Sequence, residues 1–232
     1  MVRAISKASM QEVDVRIISK LNMLTTDVEN IRDEITVYKM AIHQGVVRLL
    51  DYFENAKHFY LVFERQRDEG ECSKPEEKDG NASFVQEQPK YQPISLNDFV
   101  LEHERMPRKD FMAIDSRLKQ IALQVAQTLD FLHAYGIILK HFDTNNIVLT
   151  NKTDEGVPRF VDLCDAEVIG PDQLTTGTHG DVHFRAPEVL SLSPYSQKVD
   201  SWSFGVTLFY MFTLQFPFNV RGSKPISDIA HD

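Results

Sequence analysis

Residues 1–10 are expected to be a strand, and residues 46–53 and 58–64 read as a strand pair, apolar and aromatic, around a turn centred on Asn55. Between them, residues 28–43 repeat their apolar positions at helical spacing. Residues 65–93 turn to Glu, Lys, Asp, Gly, Pro and Gln, too polar to bury enough surface to offset ordering, and are expected to be a disordered insertion. Ile94 then opens a short helix. A longer helix is predicted over 115–135, where Leu118, Ile121, Val125, Leu129 and Leu132 fall on one face as core residues and His133 lies at the boundary. The longest apolar run, 202–218, is interrupted by polar residues and Pro217. It predicts a buried helix near 204–214 and not a membrane span.

Composition adds mainly exclusions. The chain has 232 residues with a 42% hydrophobic share, enough for a substantial core. A net charge of −9 argues against nucleic acid or an anionic membrane surface as partner. Cys72 and Cys164 are too few and too isolated for a disulfide framework or a zinc site, and the N-terminus has no apolar signal core, so a cytoplasmic or other intracellular setting is expected. No EF-hand loop occurs, so calcium binding has no support within these residues.

The candidate chemistry lies in four segments: Gly136-Ile-Ile-Leu-Lys-His-Phe-Asp-Thr-Asn-Asn146, Phe160-Val-Asp162-Leu163-Cys164, Ala186-Pro187-Glu188 and Asp200-Ser-Trp-Ser-Phe-Gly205. In this order and spacing they resemble the eukaryotic protein kinases: the catalytic loop H-R-D-x-x-x-x-N, the D-F-G segment, A-P-E, and the buried helix that anchors the loop from below. The resemblance implies an α+β, two-lobed protein-kinase-like fold. Its incomplete small β-rich lobe would span 1–64, the insertion 65–93, and a partial, mostly helical large lobe 94–232. Counted back from Asn146, Leu139, Lys140 and His141 stand where His, Arg and Asp are expected, and Asp143 where serine/threonine kinases carry a phosphate-contacting Lys. Asn146 and Asp162 keep the magnesium-ligand positions. Asp181 replaces the platform Thr that touches the catalytic Asp. A polar tract, Thr175-Thr-Gly-Thr178, offers hydroxyls whose phosphate Lys140 could receive; a plain flexible loop is the other reading.

Upstream, Val2-Arg3-Ala4-Ile5-Ser6-Lys7 resembles the third strand of the calcium/calmodulin-dependent and calcium-dependent kinases, with Arg3 in the place of the phosphate-pairing Lys. Glu34 takes the ion-pairing position on the following helix. Arg3 is a poor substitute because its planar fork does not place a single donor between two phosphates; a solvated terminal residue is the alternative. Phe63 falls at the gatekeeper position, Glu64 to Gln66 at the hinge that holds adenine, and Val148 among the nucleotide-contacting positions. In this frame the chain starts at the family's third strand, lacks the Gly-rich loop, and stops before the Arg that normally pairs with Glu188.

The resemblance therefore implies ATP and Mg2+ as cofactors, weakly held if bound at all, and a protein partner or protein substrate; the oligomeric state stays open. Two functions remain: a catalytically impaired pseudokinase with an interaction or regulatory role, or an active serine/threonine kinase with Asp143 as base and Arg3 as phosphate cation. Leu139, Leu163 and Tyr38 are expected to stack as a packed column, and His141 to lie within reach of Asp143 or Asp181.

Overall fold

The computed structural model describes residues 2–6, 10–65, 93–104, 111–150 and 156–218. The insertion expected at 65–93, Gln66 and Cys72 included, lies outside the described residues apart from its two ends. In chain order come strand β1 (Val2–Ile5), strand β2 (Glu12–Ser19), helix α1 (Thr25–Met40), strands β3 (Leu49–Glu54) and β4 (His58–Glu64), the short strand β5 (Ile94–Ser95), and helices α2 (Leu96–Glu104) and α3 (Phe111–Ala134). Short strands β6 (Ile137–Ile138), β7 (Ile147–Leu149), β8 (Pro158–Phe160) and β9 (Glu167–Val168) follow, then a 3-10 turn at Val182–Phe184 and helices α4 (Pro187–Leu190) and α5 (Lys198–Thr213).

The four long strands form one antiparallel sheet in the order β1-β2-β4-β3. Alternation decides which face is buried: Phe59, Leu61 and Phe63 of β4 point inward while Tyr60 and Val62 do not. Inward residues pack with Ile31, Ile35 and Tyr38 of α1 into a core that continues through Leu118, Ile121 and Val125 of α3. A strap at residues 45–47 ties the sheet-and-helix unit to the helical part. Val47 N–H donates to Phe160 C=O and Phe160 N–H to Gly45 C=O, each at 2.9 Å. Gly45 also lets the strap lie directly against α3, since a Cβ there would meet the Thr128 hydroxyl at 1.9 Å.

All five residues expected on the apolar face of α3 are buried. Helix α5 ends at Leu214, whose φ of 56° is left-handed and whose N–H still reaches Tyr210 C=O. A smaller apolar cluster of Ile138, Ile169, Ala186, Val189, Tyr195 and Val199 lies between β6, α4 and α5. Among the described residues, no helix is long and apolar enough to cross a membrane.

The strand assignment at the N-terminus needs correcting. Residues 1–10 are not one strand, and the strand whose cation faces α1 is β2, not β1. The chain holds the six-residue pattern twice, Val2-Arg3-Ala4-Ile5-Ser6-Lys7 and Val15-Arg16-Ile17-Ile18-Ser19-Lys20, differing only at Ala4 against Ile17. The second copy occupies the inner strand, between β1 and β4.

Candidate functional site

The site is a cleft between the sheet, α1 and the loops that follow β6 and β8. Its upper wall carries an ion pair between the Arg16 guanidinium and the Glu34 carboxylate, and Arg16 Nη1 also lies 3.6 Å from Asp162 Oδ1. Burial is the largest influence on Glu34 and pushes its carboxyl up, opposed by Arg16. Arg3, expected to pair with Glu34, does not: it is an exposed residue of β1 across from Asp14. Phe63 is 1% exposed and meets Tyr38 edge-on at 5.0 Å. At the end of β4, Glu64 Oε1 accepts from Arg159 Nη1 at 2.5 Å and from the Arg48 backbone at 3.2 Å, while Arg65 pairs with Glu12. Val148 sits half-buried on β7 opposite Ser95 and Arg159.

Below the cleft the catalytic-loop segment is held by its backbone. Asp200, 1% exposed at the start of α5, accepts the Leu139 N–H at 2.9 Å and the Lys140 N–H at 3.1 Å, and its Oδ2 is 2.9 Å from His133 Nε2. Lys140, directly after these amides, has a left-handed φ of 59°. Leu139, Leu163 and Tyr38 are all buried in the main core. The Tyr38 hydroxyl accepts the Leu163 N–H at 3.2 Å and donates to Val161 C=O at 3.4 Å, joining α1 to the Asp162 segment.

Four groups meet above that anchor. His141 Nε2 lies 3.2 Å from Asp143 Oδ2, His141 Nδ1 lies 3.2 Å from Asp165 Oδ2, and Asp165 Oδ1 lies 2.9 Å from His179 Nδ1. Asp143 and Asp165, with a smaller contribution from Cys164, push the His141 imidazole up to about 11. His141 is thus a cation at neutral pH, with both ring nitrogens donating. Its hydrogen bond and that of His179 hold Asp165 well below the carboxylate range. Burial works to raise Asp143, but His141 and the N–H groups of Asn145 and Asn146 hold it below its ordinary value.

Asp181 stands apart from this cluster. It caps the 3-10 turn, accepting from the His183 N–H at 2.8 Å with His183 Nδ1 at 2.7 Å. Lys140 is already engaged: its Nζ donates to Glu167 Oε2 at 2.9 Å, and the Thr175 hydroxyl donates to the same oxygen at 2.7 Å. Gly180 packs directly on the imidazole, with φ of 74° and room for no Cβ, which would meet His141 Cδ2 at 2.7 Å.

Asn146 and Asp162 are linked through the backbone, the Val161 N–H donating to Asn146 C=O at 3.0 Å. Their carboxamide and carboxylate oxygens suit a hard cation such as magnesium, and the Asn146 amide nitrogen is buried without a partner. Among the described residues no group of three His, Cys, Asp or Glu side chains could hold a metal ion by itself. Arg16, Asp165 and His179 escaped the sequence reading. Only Arg16 had a usable signal, the repeated hexapeptide lying nearer to Glu34.

Comparison with known proteins agrees with this architecture. The family described as "Protein kinase domain" matches residues 1–232. Serine/threonine-protein kinase TIO of Arabidopsis thaliana is 26% identical over 216 residues, covering 91% of this chain and 13% of that protein. CDPK-related kinase 4 of Arabidopsis thaliana is 26% identical over 222 residues, 95% of this chain and 32% of its own length. Serine/threonine-protein kinase PLK4 of Nematostella vectensis is 24% identical over 218 residues, 94% of this chain and 19% of its own. The chain thus spans about a third or less of the length of these relatives. With a family match along its whole length, an α+β fold and the Asp200 anchor under the loop, this chain belongs to the protein kinase domain family.

Proposed function

We propose that this domain is a pseudokinase, a kinase fold that transfers phosphate poorly or not at all and acts through a protein partner. The observation that carries the reading is His141, an imidazolium between Asp143 and Asp165 at the position from which a kinase Asp accepts the substrate proton. A group already protonated and donating from both nitrogens has no lone pair to offer a hydroxyl. Asp143, the base of the alternative active reading, is 5% exposed and is met by His141 and two backbone N–H groups, which disfavours proton uptake. Arg16 brings a cation to the strand position of the phosphate-pairing Lys and keeps the ion pair with Glu34, but as a planar fork in place of an ammonium.

The family uses ATP and Mg2+, and here Asn146 and Asp162 would hold the metal. When bound, magnesium would neutralise phosphate charge. With Arg16 giving a fork in place of an ammonium, nucleotide binding is expected to be weak and magnesium-dependent, no tighter than high micromolar. Such binding presumes an intracellular, ATP-containing setting.

A peptide phosphorylation assay with radiolabelled ATP decides between the readings. Wild type should give no turnover above background, and activity should emerge in the double variant His141→Asp, Asp143→Lys. Turnover by wild type that disappears in Asp143→Ala would overturn the proposal in favour of the active reading.

A further inference from the structure

The strand bearing Arg16 also carries a carboxylate toward the cleft. Alternate residues of β2 share a face, so Asp14, Arg16 and Ile18 point together. Their cross-strand neighbours on β4 are Phe63, Leu61 and Phe59, all buried, which makes this the inner face of the sheet. Ile18 packs against the core and Arg16 is engaged by Glu34 and Asp162. Asp14 is half-buried, and its carboxylate makes no hydrogen bond or ion pair among the described residues. Arg3 across the strand from it is exposed.

The kinase strand signature V-A-I-K puts a small apolar residue two positions before the cation. Here Val13-Asp14-Val15-Arg16 puts a carboxylate there. The same end of the cleft is closed from below by the β7–β8 hairpin, which carries Val148 and is tied to β4 by Arg159 and Glu64. The face of a base stacked at this end would strip water from Asp14, and a ring face, unlike a ring edge, carries no hydrogen-bond donor.

We propose that Asp14 is a specificity-determining residue that sets this cleft against purine nucleosides, separately from any defect in the phosphate-binding or catalytic groups. The idea rests on the reading of the cleft as a weakened nucleotide site. It predicts that the deficit lies with the base as well as with the triphosphate.

Calorimetric titration with adenosine separates the two, because adenosine has no phosphate for Arg16, Asn146 or Asp162 to engage. Asp14→Ala should raise adenosine affinity by on the order of ten- to a hundredfold. The isosteric Asp14→Asn should gain less, and the remote surface change Asp51→Asn nothing. Equal affinities in wild type and Asp14→Ala, including no binding by either when both melt cooperatively, would overturn the proposal, as would an equal gain in Asp51→Asn. Peptide phosphorylation by wild type, run in parallel, tests the pseudokinase reading alone, since an adenosine gain in Asp14→Ala stands whether or not phosphate is transferred.

Discussion

Two regions a few residues apart in sequence have diverged from the kinase pattern to different depths. Under the catalytic loop, Asp200 receives backbone N–H groups from residues 139 and 140, an arrangement indifferent to the side chains there. Above it, the charged positions of the loop have been exchanged while Asn146 is kept, and the new groups have found each other: His141 with Asp143 and Asp165, Lys140 with Glu167. A fold anchored through main-chain donors and apolar packing tolerates such exchange, because neither hydrophobic burial nor an amide N–H specifies which reaction takes place above it. The upper cluster, by contrast, is built on ion pairs between titratable side chains and should answer to pH.

The sharpest way to break this contrast is to remove the anchor. Asp200→Ala leaves two buried N–H groups without acceptors and should cost about 3–5 kcal/mol of stability in denaturant unfolding. A loss below about 1 kcal/mol would mean that the loop is held by something else. Leu139→Ala removes a side chain buried in the same core as Leu163 and Tyr38, and about 2–5 kcal/mol should be lost. If urea midpoints hardly move, position 139 does not support the fold.

The smallest effect belongs to the upper cluster, where His141→Gln should cost roughly 1–2 kcal/mol at neutral pH. The folded-state value of His141 is raised to about 11 from an ordinary 6.5, so its contribution is fully present below pH 6.5 and fades as pH rises through 11. Asp165 and Asp143 are lowered, so their contribution is present above the ordinary carboxylate range and is lost as pH falls through their folded values. Wild type and His141→Gln should therefore converge in stability toward strongly alkaline pH. A gap that stays constant from neutral to pH 11 would show that the ion pairs contribute nothing.

The same contrast explains what could be read from sequence. The long helix α3 was legible because its apolar face repeats at helical spacing, and the order of the Asn146, Asp162, Ala186-Pro187-Glu188 and Asp200 segments fixed the family. Arg3 is easily taken for Arg16 because the two hexapeptides differ at a single residue, and nearness to Glu34 is a weak signal between them. Sheet order decides it, and that depends on the pairing of β4 with β2, distant in sequence. Asp165 and His179 were invisible for a related reason. Nothing in their local pattern marks them: Asp165 reaches His141, and His179 reaches Asp165, only because the chain after β8 folds back over the loop. Lys140, which the sequence offers as one possible receiver of a phosphate beside a plain loop, is engaged by Glu167, whose carboxylate also accepts from Thr175.

The close seat of Gly180 on the imidazole ring imposes an order on evolutionary change. While His141 remains, any side chain at position 180 collides with its ring, and the left-handed backbone adds strain for every residue that has a Cβ. A shorter residue at 141 would vacate that space. Substitutions at 141 therefore have to precede those at 180. A lineage that keeps the histidine keeps the glycine with it, and the two positions should be inherited as a pair.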